Sequence, residues 1–309
     1  MRAYGDTLIV AVDAGYGNMK TANCSFPTGL SVYDEKPFFT ENLLVYNGRF
    51  YVIGSGHKEF TSQKIVDEDY YVLTLAAIAR EMNTQHLTTA KILLAVGLPL
   101  TWFVKQQATY REYLLRNRKL SFNFRGTDYQ IEIADVMVFP QGYAAIAERI
   151  NDFRDVNICA DIGNGTVNLF RVVDRKVDMR TMTTEACGVK DCAIAMRTAL
   201  ANQHHGAKVD DSIIERIIRS GVAKIDSGYL DTLVVAAREY TESLFRRFRE
   251  YGYDEKTMSL FIMGGGSCLI RNFGIYDHER VTIFDDIHAN ARGYEQLAFD
   301  RLKKVGGRP

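Results

Sequence analysis

The chain has 309 residues, 47% apolar and 25% charged, which is the composition of a globular protein with one large or two ordinary domains. Its formal net charge is zero, so no overall field would attract nucleic acid or an anionic membrane. No apolar run approaches bilayer length, and the five cysteines lack Cys-x-x-Cys spacing. We therefore expect a cytoplasmic protein with free thiols, no signal peptide and no membrane segment.

The first half of the chain alternates strand and helix patterns. Apolar runs predict strands at residues 7–13, 19–26, 43–46, 50–53, 92–96, 120–125, 129–133 and 136–139. Helical spacing of apolar residues predicts helices over 67–82 and 102–118. Pro140 predicts the start of a helix to Ile150, because proline is tolerated at the first helical position. Gln141 then falls in its first turn, at a junction where open α/β sheets bind ligands.

The second half begins again with a hairpin pattern over residues 157–173. Strands follow at 259–263 and 281–284. Helices are predicted after Gly188 and at 210–219, 229–250, 268–273 and 289–304. No long Pro/Gly/Ser linker separates the halves, so we expect two lobes that hinge together.

Residues 13–20 and 161–168 repeat one pattern. In each, an apolar run ends in aspartate, glycines follow two and four places later, and a polar residue stands seven places after the aspartate. This pattern predicts a β-hairpin whose glycines expose backbone N–H groups to a phosphate. The aspartate oxygens suit Mg²⁺ or its waters.

One copy of this pattern alone is more often an ordinary turn, and the repetition favours a shared role in a duplicated fold. Two such hairpins would bind one polyphosphate from both sides. The P-loop and Rossmann signatures are both missing from the sequence.

Five motifs, in this order along the whole chain, resemble those of the actin-like ATPase superfamily. Besides the two aspartate–glycine segments, they are Phe139–Ala145 and Ala289–Tyr294 as connecting helices and Met263–Gly266 as the adenosine loop. Within the superfamily, the first segment, Gly97–Leu100 and the compact length most resemble ParM (StbA), the bacterial plasmid-segregation actins.

The resemblance implies an α/β fold of the actin-like (ribonuclease H-like) type, duplicated into two lobes around a central nucleotide cleft. Lobe I would hold residues 1–155 and 290–309, and lobe II would hold residues 156–289. The implied activity is Mg-dependent ATP hydrolysis coupled to filament assembly, with GTP left open as an alternative nucleotide.

The resemblance also implies roles for individual residues. Gln141 would orient the attacking water, where some ParM proteins carry glutamate, and Asp13 and Asp161 would hold Mg²⁺ through water. The implied nucleotide contacts are Gly15, Tyr16, Gly17, Asn18, Lys20, Gly163, Asn164, Gly165, Thr166, Gly188, Glu215, Gly264, Gly265 and Gly266. Without the other motifs, a functional role for Gln141 is no better supported than that of an ordinary polar residue. The glycine triplet at 264–266 is likewise as well explained by an ordinary turn.

The implied function is plasmid segregation by a self-assembling filament, in which a DNA-binding adaptor protein on the plasmid centromere contacts the DNA. Direct nucleic acid binding and membrane binding are not expected. One alternative is a small-molecule (sugar or acid) kinase of the same superfamily, although no acceptor-site acidic residue is evident. Another is a scaffold or cell-shape filament, although neither chain end shows a clear amphipathic membrane helix.

Overall fold

The computed structural model describes residues 1–38, 41–55 and 68–306. The chain divides into two compact units: unit 1 comprises Met1–Glu148 with His288–Pro309, and unit 2 comprises Arg149–Ile287. The lobe boundaries inferred from the sequence, at residues 155/156 and 289/290, stay a prediction. Asp67, the predicted first residue of the first helix, lies outside the described residues.

Strands and helices are each numbered in chain order. The strands are β1 (Arg2–Tyr4), β2 (Thr7–Ala14), β3 (Asn18–Thr21), β4 (Ser25–Pro27), β5 (Leu30–Tyr33), β6 (Leu43–Tyr46), β7 (Arg49–Ile53), β8 (Thr89–Leu98), β9 (Lys119–Phe124), β10 (Thr127–Pro140), β11 (Val156–Ile162), β12 (Val167–Val173), β13 (Lys176–Glu185), β14 (Ser259–Met263) and β15 (Val281–Ile283). The helices are α1 (Asp69–Asn83), α2 (Leu100–Leu115), α3 (Tyr143–Ile146), α4 (Val189–Gln203), α5 (Asp211–Ser220), α6 (Ser227–Glu250), α7 (Ser267–Phe273) and α8 (Ala289–Gly306), and a 3-10 helix (Ala147–Asp152) follows α3.

Unit 1 is built on a mixed sheet. Over the described residues its strand order is β4-β3-β2-β8-β10-β9-β6-β7-β5, with β1 beside β2. The central strands β2, β8 and β10 are parallel, and their neighbours on both sides are antiparallel. The side chains of β2 alternate between the two faces of the sheet. Val10 and Val12 pack in the cluster that contains α1, whereas Ile9 and Ala11 pack with Tyr294 of α8. Because helices cover both faces, the central strands read as continuous apolar runs.

The last helix, α8, packs most closely on its neighbour at Gly293. A Cβ atom at this position would overlap the carbonyl oxygen of Ala144 in α3. Only glycine lets the two helix backbones approach this closely, and α8 is thereby packed against the segment that follows β10.

Unit 2 contains a second, smaller sheet with the order β13-β12-β11-β14-β15 over the described residues. β11, β14 and β15 are parallel, and β11, β12 and β13 form an antiparallel meander. Helices α4 to α7 supply a second apolar cluster, which includes the fully buried Met196, Ile217 and Leu233. No helix of the described residues is both long and apolar enough to cross a membrane.

Most predicted elements are present, but the helix predicted from Pro140 to Ile150 begins later, as α3 at Tyr143, and continues as the 3-10 helix to Asp152. Pro140 is the last residue of β10, where it lies opposite Leu98 of the parallel strand β8. The backbone N–H of Gln141 continues this pairing by donating to the carbonyl oxygen of Leu98 at 2.8 Å. Gly142, with a φ of 77°, then turns the chain into α3, so Gln141 precedes the helix and does not lie in its first turn.

Further differences concern strands, and among them β1 and β5 were not predicted. The predicted strand 19–26 is broken into β3 and β4, because the backbone N–H of Thr21 bonds the carbonyl oxygen of Cys24 and closes a turn between them. The edge strand β13 was not predicted, because its alternating charged and polar residues give no apolar run.

Candidate functional site

The first aspartate–glycine segment forms the predicted hairpin between β2 and β3. Asp13 lies directly opposite Lys20 in the antiparallel register. Residues opposite each other in such a pair point to the same face of the sheet. The Lys20 Nζ atom is accordingly 3.7 Å from Oδ2 of Asp13, whose side chain is buried.

Thr28, which the sequence did not mark, holds the turn of this hairpin. Its hydroxyl donates to the carbonyl oxygen of Gly15 at 2.7 Å, and its backbone N–H donates to that of Gly17 at 3.0 Å. Thr28 is itself buried. Thr28, which directly follows β4, therefore bonds two carbonyl groups of the turn. These bonds restrict the conformations that the turn can adopt.

Gln141 meets the same carboxylate from the end of β10. Its Nε2 atom donates to Oδ1 of Asp13 at 2.9 Å. The N–H of the following residue, Gly142, donates to Oδ1 of Asn290 at 2.8 Å, so α8 helps to fix this junction. Asp13, Lys20 and Gln141 are thus brought together in unit 1, and we call them the Asp13 site.

The second segment forms the equivalent hairpin in unit 2, between β11 and β12. Asp161 lies opposite Asn168, in the same register as Asp13 and Lys20. Asn168 accepts a hydrogen bond from the hydroxyl of Thr184 at 2.8 Å. The two hairpins therefore share one backbone pairing, while the residue opposite the aspartate is a cation in the first and a neutral amide in the second.

The start of α4 holds the turn of the second hairpin. The backbone N–H groups of Val189 and Lys190 donate to the carbonyl oxygens of Gly163 and Asn164, at 3.1 and 2.9 Å. Gly188 packs so closely on this turn that a Cβ atom would lie 2.5 Å from the carbonyl oxygen of Asn164. Gly188, predicted as a nucleotide contact, therefore lies directly against the turn of the second hairpin.

The glycine triplet after β14 packs on the same hairpin. Gly264 has a φ of 84°, and a Cβ atom there would overlap Oδ1 of Asp161. The N–H of Gly266 donates to the carbonyl oxygen of Ile162 at 2.8 Å. Asp161, the turn at 163–166, Gly188 and the triplet thus converge in unit 2, and we call this group the Asp161 site.

Two predicted contacts stand apart from these groups. Glu215 has a side chain 63% exposed on α5, where it pairs with Arg219 at 3.9 Å. Among the described residues, no hydrogen bond or ion pair joins it to the Asp161 site. Tyr16 lies in the first turn, but its ring packs edge-on against Trp102, and burial raises the pKa of its hydroxyl.

Each of the two sites contains a carboxylate that suits a magnesium ion bound through water. Asp13 and Asp161 are buried carboxylates at strand ends, and Mg²⁺ prefers oxygen ligands while keeping several waters. No group of three or more His, Cys, Asp or Glu residues that could hold a metal occurs in the part of the chain that the structure describes.

The amino-terminal part of the chain matches a known protein family. Residues 11–143 match the family model described as the N-terminal domain of actin-like proteins. No curated protein sequence matches the chain significantly.

Solved structures match nearly the whole chain. A 15-stranded ParM filament from Clostridium botulinum is 19% identical, with a TM-score of 0.77 over 96% of this chain and 99% of that one. The archaeal actin homologue Ta0583, in complex with ADP, is 18% identical, with a TM-score of 0.70 over 95% and 100%. Bacillus thuringiensis ParM with ATP is 11% identical, with a TM-score of 0.68 over 96% and 100%.

At these identities the structural likeness establishes the fold. It confirms the α/β, actin-like architecture and the resemblance to ParM proteins that the motifs indicated. The chain is therefore actin-like, both in its overall fold and in its N-terminal domain.

Proposed function

We propose that the protein is an actin-like ATPase that assembles into nucleotide-dependent filaments and segregates plasmid DNA. The observation that carries the proposal is the shared register of the two hairpins, with Asp13 opposite Lys20 and Asp161 opposite Asn168. The fold supports it as well, since structures with this fold include a ParM filament, a ParM with ATP and an actin homologue with ADP.

In this proposal both hairpins bind the phosphates of one nucleotide. Backbone N–H groups of the turns at 15–18 and 163–166 would cradle the β- and γ-phosphates, and Lys20 would add a positive charge. The triplet at 264–266 would leave bare backbone against the nucleoside, with Glu215 as a contact at its edge. Gly188 would line the same pocket at its phosphate end, against the turn at 163–166. Magnesium would be held by Asp13 and Asp161 through its waters and would neutralise phosphate charge.

The hydrogen bond between Gln141 and Asp13 determines how the glutamine amide is oriented. A carboxylate can only accept hydrogen bonds, so the NH₂ group of Gln141 must face Asp13. Its Oε1 atom is then directed away from the carboxylate and is available to accept a hydrogen bond from a water molecule. Gln141 would thus orient the attacking water without acting as a strong base.

The proposed partners are further copies of the chain and a DNA-binding adaptor protein on a plasmid centromere, in the cytoplasm. A filament requires a head-to-tail interface that does not close into a ring. The zero net charge of the chain is consistent with DNA being reached through the adaptor. ATP is the proposed nucleotide, and GTP is to be compared with it.

Assembly in the presence of nucleotide tests the proposal. Micromolar protein with Mg-ATP or Mg-GTP is followed by light scattering, sedimentation and phosphate release. We expect a pelletable polymer and hydrolysis from the wild type, and loss of both in Asp161→Ala. The control Asp231→Ala removes an exposed aspartate from α6 of the same unit and should behave as the wild type.

Other results would favour the alternatives. Turnover that requires a sugar or a small acid, without polymer, would contradict the filament proposal and indicate a kinase. Filaments that form normally while deletion of the gene leaves plasmid retention unchanged in dividing cells would contradict the segregation role and indicate a scaffold filament.

A further inference from the structure

Gly188 is bonded through its backbone on both sides. Its N–H donates to Oδ2 of Asp191 at 2.9 Å. Its carbonyl oxygen accepts a hydrogen bond from the hydroxyl of Tyr240 in α6 at 2.7 Å. The N–H groups of Asp191 and Cys192 approach the same oxygen at 3.2 and 3.4 Å. Of these contacts, the Tyr240 bond is the shortest, and it comes from a residue 52 positions away in the chain.

Gly188 is also in direct contact with the turn at 163–166, which is the second phosphate loop of the proposed function. A Cβ atom at Gly188 would lie 2.7 Å from the carbonyl oxygen of Gly163, so even a methyl group does not fit between them. Val189 and Lys190, the next two residues, donate to the carbonyl oxygens of the loop. Any displacement of Gly188 would therefore displace the loop carbonyls and, with them, the peptide N–H groups of the loop.

The N-terminus of α4 is occupied by this arrangement. The first N–H groups of a helix have no partner within the helix and commonly bind anions. Here the N–H groups of Val189 and Lys190 are bonded to the loop at 3.1 and 2.9 Å. In the proposed nucleotide site, the helix would therefore act on a phosphate only through the turn that it holds, and the position of its first turn would set the position of that turn.

Tyr240 is suited to the role of a permanent donor. It is half-buried between the two apolar clusters of unit 2. Burial, followed by the neighbouring Cys187 and Asp191, raises the pKa of its hydroxyl well above the usual range. The hydroxyl consequently keeps its proton and its bond to Gly188 at neutral and moderately alkaline pH.

We propose that Tyr240 is a positioning residue for the second phosphate loop, acting through the carbonyl group of Gly188. The inference rests on the proposed nucleotide function. It assigns Tyr240 to the nucleotide site, although Tyr240 lies 52 positions from Gly188 in the sequence. Tyr240 would leave nucleoside binding unchanged and would strengthen binding of the phosphate groups.

The test compares ligands with and without phosphates. Dissociation constants for Mg-ATP, Mg-ADP and adenosine are measured by calorimetry or competition for the wild type, Tyr240→Phe and Tyr276→Phe. Tyr276 packs on Phe245 in the same unit and controls for loss of a tyrosine hydroxyl. We expect Tyr240→Phe to raise Kd for ATP and ADP by up to about fivefold, because phosphate binding must then restore a loop geometry that one net hydrogen bond had held. Kd for adenosine should change little, and the melting temperature without ligand should fall by only a few degrees, as expected for one lost hydrogen bond.

Each outcome decides a specific point. An unchanged Kd for ATP in Tyr240→Phe would overturn the inference, and so would an equal rise for adenosine and ATP. A similar rise in Tyr276→Phe would attribute the effect to general packing and also overturn it. Failure of the wild type to bind any nucleotide would instead refute the proposed function, which keeps the two failures distinguishable.

Discussion

The amide of Gln141 and the carboxylate of Asp13 are hydrogen-bonded at 2.9 Å across 128 residues of sequence. Gln141 is positioned by the end of β10, which pairs with β8 up to the Pro140–Leu98 position. Asp13 is positioned by β2 on the other side of β8. The three adjacent parallel strands β2, β8 and β10 therefore set the distance between Asp13 and Gln141. These strands form the most buried part of the sheet.

The first prediction concerns Gln141→Ala. We expect kcat for ATP hydrolysis to fall by at least about tenfold, because no amide remains to orient water. Kd for Mg-ATP should stay within about twofold of the wild type, because an interaction made mainly in the transition state contributes little to ground-state binding. Single-turnover phosphate release and equilibrium binding measure the two effects.

Gln130→Ala is the matched control for this change, since Gln130 is an exposed glutamine on the same strand, β10. It should leave both quantities unchanged. Loss of ATP binding in Gln141→Ala at unchanged kcat would assign the residue to binding and exclude it from water orientation.

The second prediction concerns Thr28, whose hydroxyl bonds the carbonyl oxygen of Gly15 at 2.7 Å. Thr28→Val keeps the shape of the side chain and leaves that buried carbonyl with one partner fewer. We expect the free energy of unfolding to fall by about 1–3 kcal/mol and Kd for Mg-ATP to rise several-fold. Denaturant titration and equilibrium binding provide the two measurements.

Thr28→Ser tests whether the hydroxyl causes the effect. It retains the donor and should recover most of the affinity for ATP. If serine weakens ATP binding as much as valine does, then the methyl group, and not the hydroxyl, determines the shape of the turn.

The third prediction concerns stability at alkaline pH. Burial, with smaller contributions from Cys268 and Asp191, raises the pKa of the Cys192 thiol from 9.0 to about 12. Below pH 9 the thiol is neutral in both folded and unfolded chains. Above pH 9 it ionises only in the unfolded chain, so stability is lost as the pH rises from 9 towards 12. At pH 10.5 this one group would account for about 2 kcal/mol.

Cys192→Ala removes this titration. Its unfolding free energy, measured in denaturant with reductant from pH 8 to 11, should fall less steeply above pH 9 than that of the wild type. The variant is expected to be less stable at pH 8, because a buried side chain has been truncated. Parallel curves for the two proteins would show that Cys192 does not contribute to the alkaline loss.

The sequence was sufficient to predict those parts of the site that depend on local pattern. The two hairpins follow from glycines at fixed positions after an apolar run, whereas the pairing of Asp13 with Lys20 is a finding of the structure. The strand before the glycine triplet and the helix after Gly188 are also present where their patterns indicated.

Residues that act from distant segments could not be predicted in this way. Thr28 and Tyr240 carry no local signal, because each bonds a backbone carbonyl that only the tertiary fold brings near. Pro140 was misassigned because its local preference for a helix start is overridden by ladder pairing with β8. In all three cases the role of the residue depends on a hydrogen-bonded neighbour that is distant in the sequence.

The arrangement of unit 1 has a consequence for synthesis of the protein. One face of its central sheet, with Ile9 and Leu93, is covered by Tyr294 and Ala298 of α8. A nascent chain leaving the ribosome would expose that apolar face until all of unit 2 has been translated, because α8 follows unit 2 in the chain. Domains that emerge early generally fold as soon as they are complete. Unit 1 would be translated first, but it could not complete its fold until α8 has been made. Translation products that stall before α8 would therefore be prone to aggregate.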